Sequence, residues 1–348
     1  MATLLIQLPV PQLTFARRTG NIPLAAACLQ QAWSGASGGG RPIRLLPQAS
    51  ATYLGDGALV ERICQEAPQV AGFTTYAWNV ERTLYLARRL KERLDLEVVL
   101  GGPEVSPDNP RLRQAPADLF VSGEGEAWDM GATARRSGKK ASWTTITGYE
   151  GFCRQPSPYL ANRLSPEIDD MVLLETQRGC PHRCGYCFYG KGRRRIHLAA
   201  EALLLKAVRW TRERGVGELY LLDPSLDARP GLKELLTRIA QCNVGGELAL
   251  HSEIRAEAVD AALADGLLAA GFRSLEIGLQ STNPLALQRT GRRFCRKRFL
   301  DGTRHLKARG IACSVDLIIG LPGDTLAGFR ESVDFVADNG LADHLQVF

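Results

Sequence analysis

Three cysteines, Cys180, Cys184 and Cys187, stand with three and then two residues between them in the stretch TQRGCPHRCGYCFYGKG from Thr176 to Gly192. A short loop with small or turn-forming residues such as Gly179, Pro181 and Gly185 lets three neighbouring thiolates wrap a body from one side. A cubane of four irons and four sulphurs is such a body. Three ligands leave one iron with a vacant position, where a chelating substrate can be held. Zinc is the competing occupant, and it requires a fourth ligand, for which His182 lies within the loop and His197 beyond it. The other six cysteines, Cys28, Cys64, Cys153, Cys242, Cys295 and Cys313, show no ligand spacing and read as structural thiols.

The loop resembles the Cys-x-x-x-Cys-x-x-Cys motif of radical S-adenosylmethionine (SAM) enzymes, including the aromatic residue, here Tyr186, before the last cysteine. The resemblance implies a 4Fe-4S cluster on Cys180, Cys184 and Cys187 whose open iron binds the amino and carboxylate groups of SAM. It also implies that an electron from the reduced cluster cleaves a carbon-sulphur bond of SAM to release a 5'-deoxyadenosyl radical. Further segments follow in the order of that family: LLDPSLD with Asp223, LHSEIRAE with Glu253, LEIGLQS with Gln280, and DLIIGLPGDT with Ile319 and Gly320. By resemblance, Asp223 and Glu253 orient SAM, Glu253 at its ribose. Gln280 belongs to the same cofactor site, and backbone near Ile319 and Gly320 stacks against adenine.

The elements that must carry these residues alternate between strand and helix patterns. Strands are expected at Val172 to Thr176, Glu218 to Leu222, Glu247 to Leu250, Ser274 to Gly278, Ser314 to Gly320 and Leu345 to Phe348, separated by helices such as Ala199 to Arg214. This predicts a partial (β/α)6 barrel over 171–348 with its site at the C-terminal strand ends. The last strand has no helix to cover it, so a missing C-terminal portion is expected. Ahead of the barrel, strands at Leu4 to Leu8, Ile43 to Leu46, Val70 to Thr74, Glu97 to Leu100 and Asp118 to Val121, with a helix at Val80 to Leu94, predict an α/β domain over 1–130 with a doubly wound parallel sheet. Ser34 to Gly40 reads as a flexible connection. Weak periodicity with Pro156, Pro158 and Pro166 predicts a linker over 131–170.

The first domain, through VAGFTTYAWNVE, VVLGGPEVSP and VSGEGEAW, resembles the cobalamin-binding domain that precedes the barrel in one subfamily of radical enzymes. The resemblance implies a corrinoid lying flat on the strand ends, lined by Thr74, Thr75, Gly101 and Gly102, the glycines permitting close approach. The family's Asp-x-His-x-x-Gly motif is absent from the loop PVPQLTFARRTGN, so the lower face of cobalt would have no protein ligand.

In 348 residues, 43 Lys and Arg stand against 37 Asp and Glu, a mild excess that requires neither a nucleic acid nor a membrane surface as partner. The basic residues cluster at Arg193 to Arg195 and from Arg289 to Arg298, where a docking patch for an acidic electron donor such as flavodoxin or ferredoxin is one reading and a solvated face the other. An odd count of nine cysteines and the lack of a signal peptide predict a cytoplasmic protein with reduced thiols. Together these features predict a cobalamin-dependent radical methyltransferase acting on an unactivated carbon of a small molecule or peptide. The alternatives are a radical SAM cyclase, rearrangement or sulphur-insertion enzyme without corrinoid, and a non-catalytic metal-binding protein.

Overall fold

The computed structural model describes residues 2–10, 21–36, 42–128, 141–148, 150–166, 170–189 and 195–348. Most of the loop PVPQLTFARRTGN, most of the Gly-Ser stretch, and Arg193 and Arg194 lie outside the described residues. The chain divides into one unit of residues 1–150 with 161–165 and a second of 151–160 with 166–348.

In the first unit, strands β1 (Thr3–Gln7), β2 (Ile43–Leu45), β3 (Val70–Thr74), β4 (Glu97–Gly101), β5 (Leu119–Gly123) and β6 (Ser142–Ile146) form one parallel sheet in the order β2-β1-β3-β4-β5-β6. Helices α1 (Leu24–Ala36), α2 (Gln48–Tyr53), α3 (Asp56–Glu66) and α4 (Val80–Lys91) connect and cover it. Successive strand side chains point to opposite faces, so the apolar run of β1 serves two cores. Leu4 and Ile6 pack with Leu59, Ile63, Leu86 and Leu90, whereas Leu5 packs with Ala26, Trp33, Val99 and Val121. Each such fully buried side chain contributes about 1.5 to 3 kcal/mol of transfer free energy. Asn79, buried just before α4, donates from Nδ2 to the carbonyls of Leu8 and Thr74 (3.2 Å each) and so ties the exits of β1 and β3 together.

β6 falls inside the stretch expected to be a linker and extends the sheet by one strand. Its sequence, SWTTI, alternates exposed and half-buried residues as an edge strand does, so it lacks a continuous apolar signal. Residues 151–160, also expected as linker, pack with the barrel: Tyr159 is fully buried 6.0 Å from the Trp210 ring, and the Arg178 guanidinium lies 4.5 Å over Phe152.

The second unit contains β7 (Met171–Leu174), the two-residue strands β8 (Gln177–Arg178) and β9 (His197–Leu198), α5 (Glu201–Glu213), β10 (Glu218–Leu221), α6 (Leu232–Cys242) and β11 (Ala249–Ile254). It continues with α7 (Ala261–Ala270), β12 (Phe272–Gln280), α8 (Pro284–Thr290), α9 (Arg296–Lys307), β13 (Ala312–Leu317), α10 (Leu326–Asp338) and β14 (His344–Val347). Six strands pair in parallel in the order β14-β13-β12-β11-β10-β7, the arrangement of a partial barrel. β11 begins two residues later than expected and runs four further, because Val244–Gly246 form a tight turn and the strand interior carries His251, Ser252 and Glu253 rather than an apolar run.

The two faces of this sheet differ in chemistry. Leu219, Leu221, Leu275, Ile277, Val315 and Leu317 are buried. The alternate positions are Tyr220, Glu253, Glu276, Gly278, Ser314 and Asp316, and cross-strand register sets them side by side: Glu253 opposite Glu276, Glu276 opposite Ser314, and Gly278 opposite Asp316. A closed barrel fills its interior with branched apolar side chains. A bore lined by hydroxyls and carboxylates is instead suited to a polar ligand.

Candidate functional site

The cysteine loop leaves the end of β7 through Thr176 and Gln177. Their backbone N-H groups each donate to Asp223 Oδ1 at 2.8 Å, and the Thr176 hydroxyl donates to Oδ2. Arg229 Nη1 donates to the Thr176 carbonyl and hydroxyl (3.1 and 3.0 Å) and stands 4.0 Å from the same carboxylate. Burial pushes the Asp223 carboxyl up to about 6, against the pull of the Thr176 hydrogen bonds and of Arg229. Asp223, expected to orient SAM, is placed instead where it anchors the loop. It is fully buried, its oxygens are engaged by the root of the loop, and it is the following residues, Pro224 and Ser225, that line the cavity.

Farther along, β8 and β9 pair antiparallel, Gln177 with Leu198 and Arg178 with His197, and close the base of the loop. Its middle is pinned to the end of α8, where Gly185 N donates to the Thr290 carbonyl at 2.7 Å. Gly291 caps that helix at φ 67°, and a side chain there would press on the Arg183 carbonyl at 3.1 Å, so the approach of loop to helix requires glycine.

Cys180, Cys184 and Cys187 line one open cavity. Cys180 is buried, which raises its thiol pKa, and the neighbouring cysteines add to the shift; a cationic cluster would offset both. Among the described residues no three His, Cys, Asp or Glu side chains converge tightly enough to hold a single metal ion. Neither histidine considered as a fourth zinc ligand is offered to the cysteines. His197 is held in β9, and the ring Nδ1 of His182 lies 3.3 Å from Arg255 Nη1, which can only donate and so takes up the lone pair that a metal would need. Three thiols in one open cavity fit a three-ligand cluster. Tyr186 lines the same cavity, its phenol held protonated by burial.

Opposite the cysteines, Glu253, Glu276, Gln280 and Asp316 present the polar bore to the cavity. Burial pushes Glu253 up to about 7, with Glu276, Asp316 and Asp223 adding repulsion; burial and then Glu276 push Asp316 to about 7. Gln280 sits at a register shift on β12 with φ 70° and accepts from Ile318 N at 2.9 Å. Ile319 and Gly320 are not among the cavity residues. They follow β13 at a turn where Ile319 is half exposed, Gly320 has φ 81°, and a side chain at Gly320 would meet nothing within 4 Å. Arg292, Glu276 and Asp316 escaped the sequence reading. Arg292 sits within the basic run, but its side chain is buried, donates to the Gly278 carbonyl and joins the cavity wall. Polar residues at alternate positions of apolar strands were the signal for the two acids.

In the first unit Thr74, Thr75, Gly101 and Gly102 come together at the ends of β3 and β4. Thr75 N donates to the Gly101 carbonyl at 2.6 Å, and a side chain at Gly102 (φ 109°) would strike the Thr75 carbonyl at 2.7 Å. The glycine thus admits the Thr75 backbone, and both threonine side chains are buried. The exposed surface beside them is aromatic: Tyr76 and Trp78 stack 4.5 Å apart at 7°, with Trp78 half exposed. Bare glycine backbone next to a flat ring pair fits a corrin face. All five histidines lie at or beyond position 182, so this unit has no imidazole for cobalt.

Residues 174–336 match the family model of the Radical SAM superfamily, and residues 43–130 match that of the B12 binding domain. The chain thus carries a B12-binding domain followed by a radical SAM domain. Among curated relatives of this B12-binding radical SAM chain is the cobalamin-dependent radical SAM methyltransferase TokK of Streptomyces tokunonensis, 25% identical over 325 residues, covering 81% of this chain and 46% of TokK. The 2-(S-pantetheinyl)-carbapenam-3-carboxylate methyltransferase of Streptantibioticus cattleyicolor is 26% identical with the same coverage. The chain thus spans about half the length of these relatives. Its fold is shared with the radical SAM methyltransferase TsrM of Kitasatospora setae, at TM-score 0.76 and 18% identity over 99% of this chain and 72% of TsrM. It is shared also with the cobalamin-dependent SAM radical enzyme OxsB, at 0.75 and 14% over 99% and 53%. Among the described residues no helix is long and apolar enough to cross a membrane, and all nine cysteines are free of disulfides.

Proposed function

We propose that this chain carries the catalytic core of a cobalamin-dependent radical SAM methyltransferase acting on an unactivated carbon. The observation that carries the reading is a single cavity shared by three unpaired thiols and a polar bore. Cys180, Cys184 and Cys187 would hold the cluster. Arg292, a buried guanidinium in the cavity wall, offers charge to a carboxylate, and Glu253 and Gln280 offer acceptors to an ammonium or to hydroxyls. Gly101, Gly102 and the Tyr76-Trp78 pair provide the flat face for the corrinoid. When bound, the reduced cluster supplies the electron that cleaves SAM and the corrinoid supplies the methyl group.

Sulphur insertion has support from the barrel alone: the tRNA-2-methylthio-N(6)-dimethylallyladenosine synthase of Acidithiobacillus ferrooxidans is 29% identical over 182 residues, 47% of this chain. The methyltransferases align across both units, which favours methyl transfer. A cytoplasmic location accords with nine cysteines outside any disulfide. The test is anaerobic reconstitution with iron, sulphide and cobalamin, followed by SAM carrying a labelled methyl group. About four irons per chain, retained cobalamin and movement of label into cobalamin or product are expected. An intact cluster on a chain that retains no cobalamin rejects the methyltransferase.

A further inference from the structure

We propose that Glu257 is a positioning residue for SAM binding: its buried carboxylate stands between the guanidiniums of Arg255 and Arg292, offsets their repulsion and holds Arg292 in the cavity wall. This role rests on the reading above, which gives Arg292 a ligand carboxylate to bind. Ala256–Ala258 form one tight turn after β11, wedged against α9: Ala256 is fully buried, and a side chain at Gly302 would strike its carbonyl. The Glu257 side chain is 10% exposed, beside Arg292 at 6% and Arg255 at 18%. Its Oε1 lies 3.5 Å from Arg255 Nη2 and its Oε2 lies 3.9 Å from Arg292 Nη2. Neither contact is a hydrogen bond, and neither oxygen finds another partner among the described residues.

A buried carboxylate without a donor is costly, so a pair selected for stability alone would close to hydrogen-bonding distance. Here each guanidinium is tethered elsewhere. Arg255 Nη2 donates to the Arg293 carbonyl at 2.7 Å, and Arg292 Nη2 donates to the carbonyl of Gly278, itself a cavity residue. Glu257 therefore acts on both through charge. The other acid nearby, Asp227, already accepts from the Ser225 hydroxyl and from the Arg255 backbone N-H. Remove the Glu257 charge, and two buried cations face each other with no carboxylate between them. Arg292, tethered through one nitrogen, then leaves the wall it shares with the cysteines.

The test is SAM binding, measured by anaerobic calorimetry on the reconstituted chain with its cluster oxidised so that no turnover intervenes. It compares wild type, Glu257→Gln, Arg292→Gln and the double variant. Glu257→Gln should weaken SAM at least about tenfold, the scale of one hydrogen bond to a charged group. In the Arg292→Gln background it should change nothing further. Decarboxylated SAM, which offers Arg292 no carboxylate, should bind wild type and Glu257→Gln equally, a result that a general loosening of the site would not give. Unchanged or tighter SAM binding by Glu257→Gln overturns the proposal, tighter binding meaning that Glu257 competes with the ligand for Arg292. An equal loss for decarboxylated SAM overturns it too. A loaded wild type that binds no SAM counts against the proposed function instead. In that case, or if a variant takes up no cluster, urea titration of the four apo chains decides: a double loss smaller than the sum of the single losses supports the hold of Glu257 on Arg292, and losses that simply add reject it.

Discussion

Asp223 shows how a residue can be legible in the sequence and misread in its role. Its place at the end of a barrel strand marks it as polar and important, but only the fold shows that its acceptors face the root of the cysteine loop rather than the ligand. Asp223→Ala leaves two buried N-H groups without partners and removes the carboxylate beside Arg229, and should lower the stability of the apo chain by about 2 to 4 kcal/mol in urea titration. Iron uptake should fall with it, because the loop loses its anchor. His182→Ala, by contrast, should leave iron content unchanged, and loss of metal in that variant would revive the zinc alternative. Glu253 and Asp316 carry a pH signature. Burial raises both above the ordinary carboxylate value, so the folded state disfavours their charge; this penalty is absent below about pH 4 and complete above about 7. The apo chain should therefore lose stability across that window as pH rises. Glu253→Gln should flatten its share, gaining on the order of 1 to 3 kcal/mol at pH 8. A urea midpoint for the variant that tracks wild type across the window contradicts the assignment.

At the scale of elements, strands with continuous apolar runs were readable nearly to the residue: Val70–Thr74 is β3 as expected, and Glu218–Leu221 differs by one position. Strands with mixed faces were not. β11 carries His251, Ser252 and Glu253 in its middle, and β6 is a polar edge, so apolar runs point away from both. The same logic governed the site. Contiguous cysteines announced themselves, whereas Glu276, Asp316 and Arg292 meet only after three separate elements fold. Gly102 gives the first unit its own test. Gly102→Ala puts a methyl against the Thr75 backbone at φ 109° and should destabilise this unit by about 1 to 3 kcal/mol. Thermal unfolding that matches wild type would show that the strand ends are looser than described.

For the molecule as a whole, the two units divide the chemistry. One is a two-faced sheet with a bare strand-end surface and no histidine; the other is a barrel with a hydrophilic interior. Cobalamin bound by the first unit should show, in its cob(II) form, no hyperfine splitting from an imidazole nitrogen of that unit, a direct paramagnetic-resonance measurement. The ladder between Gln177-Arg178 and Leu198-His197 has a wider consequence. It fastens the neck of the metal-carrying segment with backbone bonds that owe nothing to iron. Chelators should therefore strip and return the inorganic core without melting the protein around it, making the binding segment a durable socket rather than a fold that its metal must assemble.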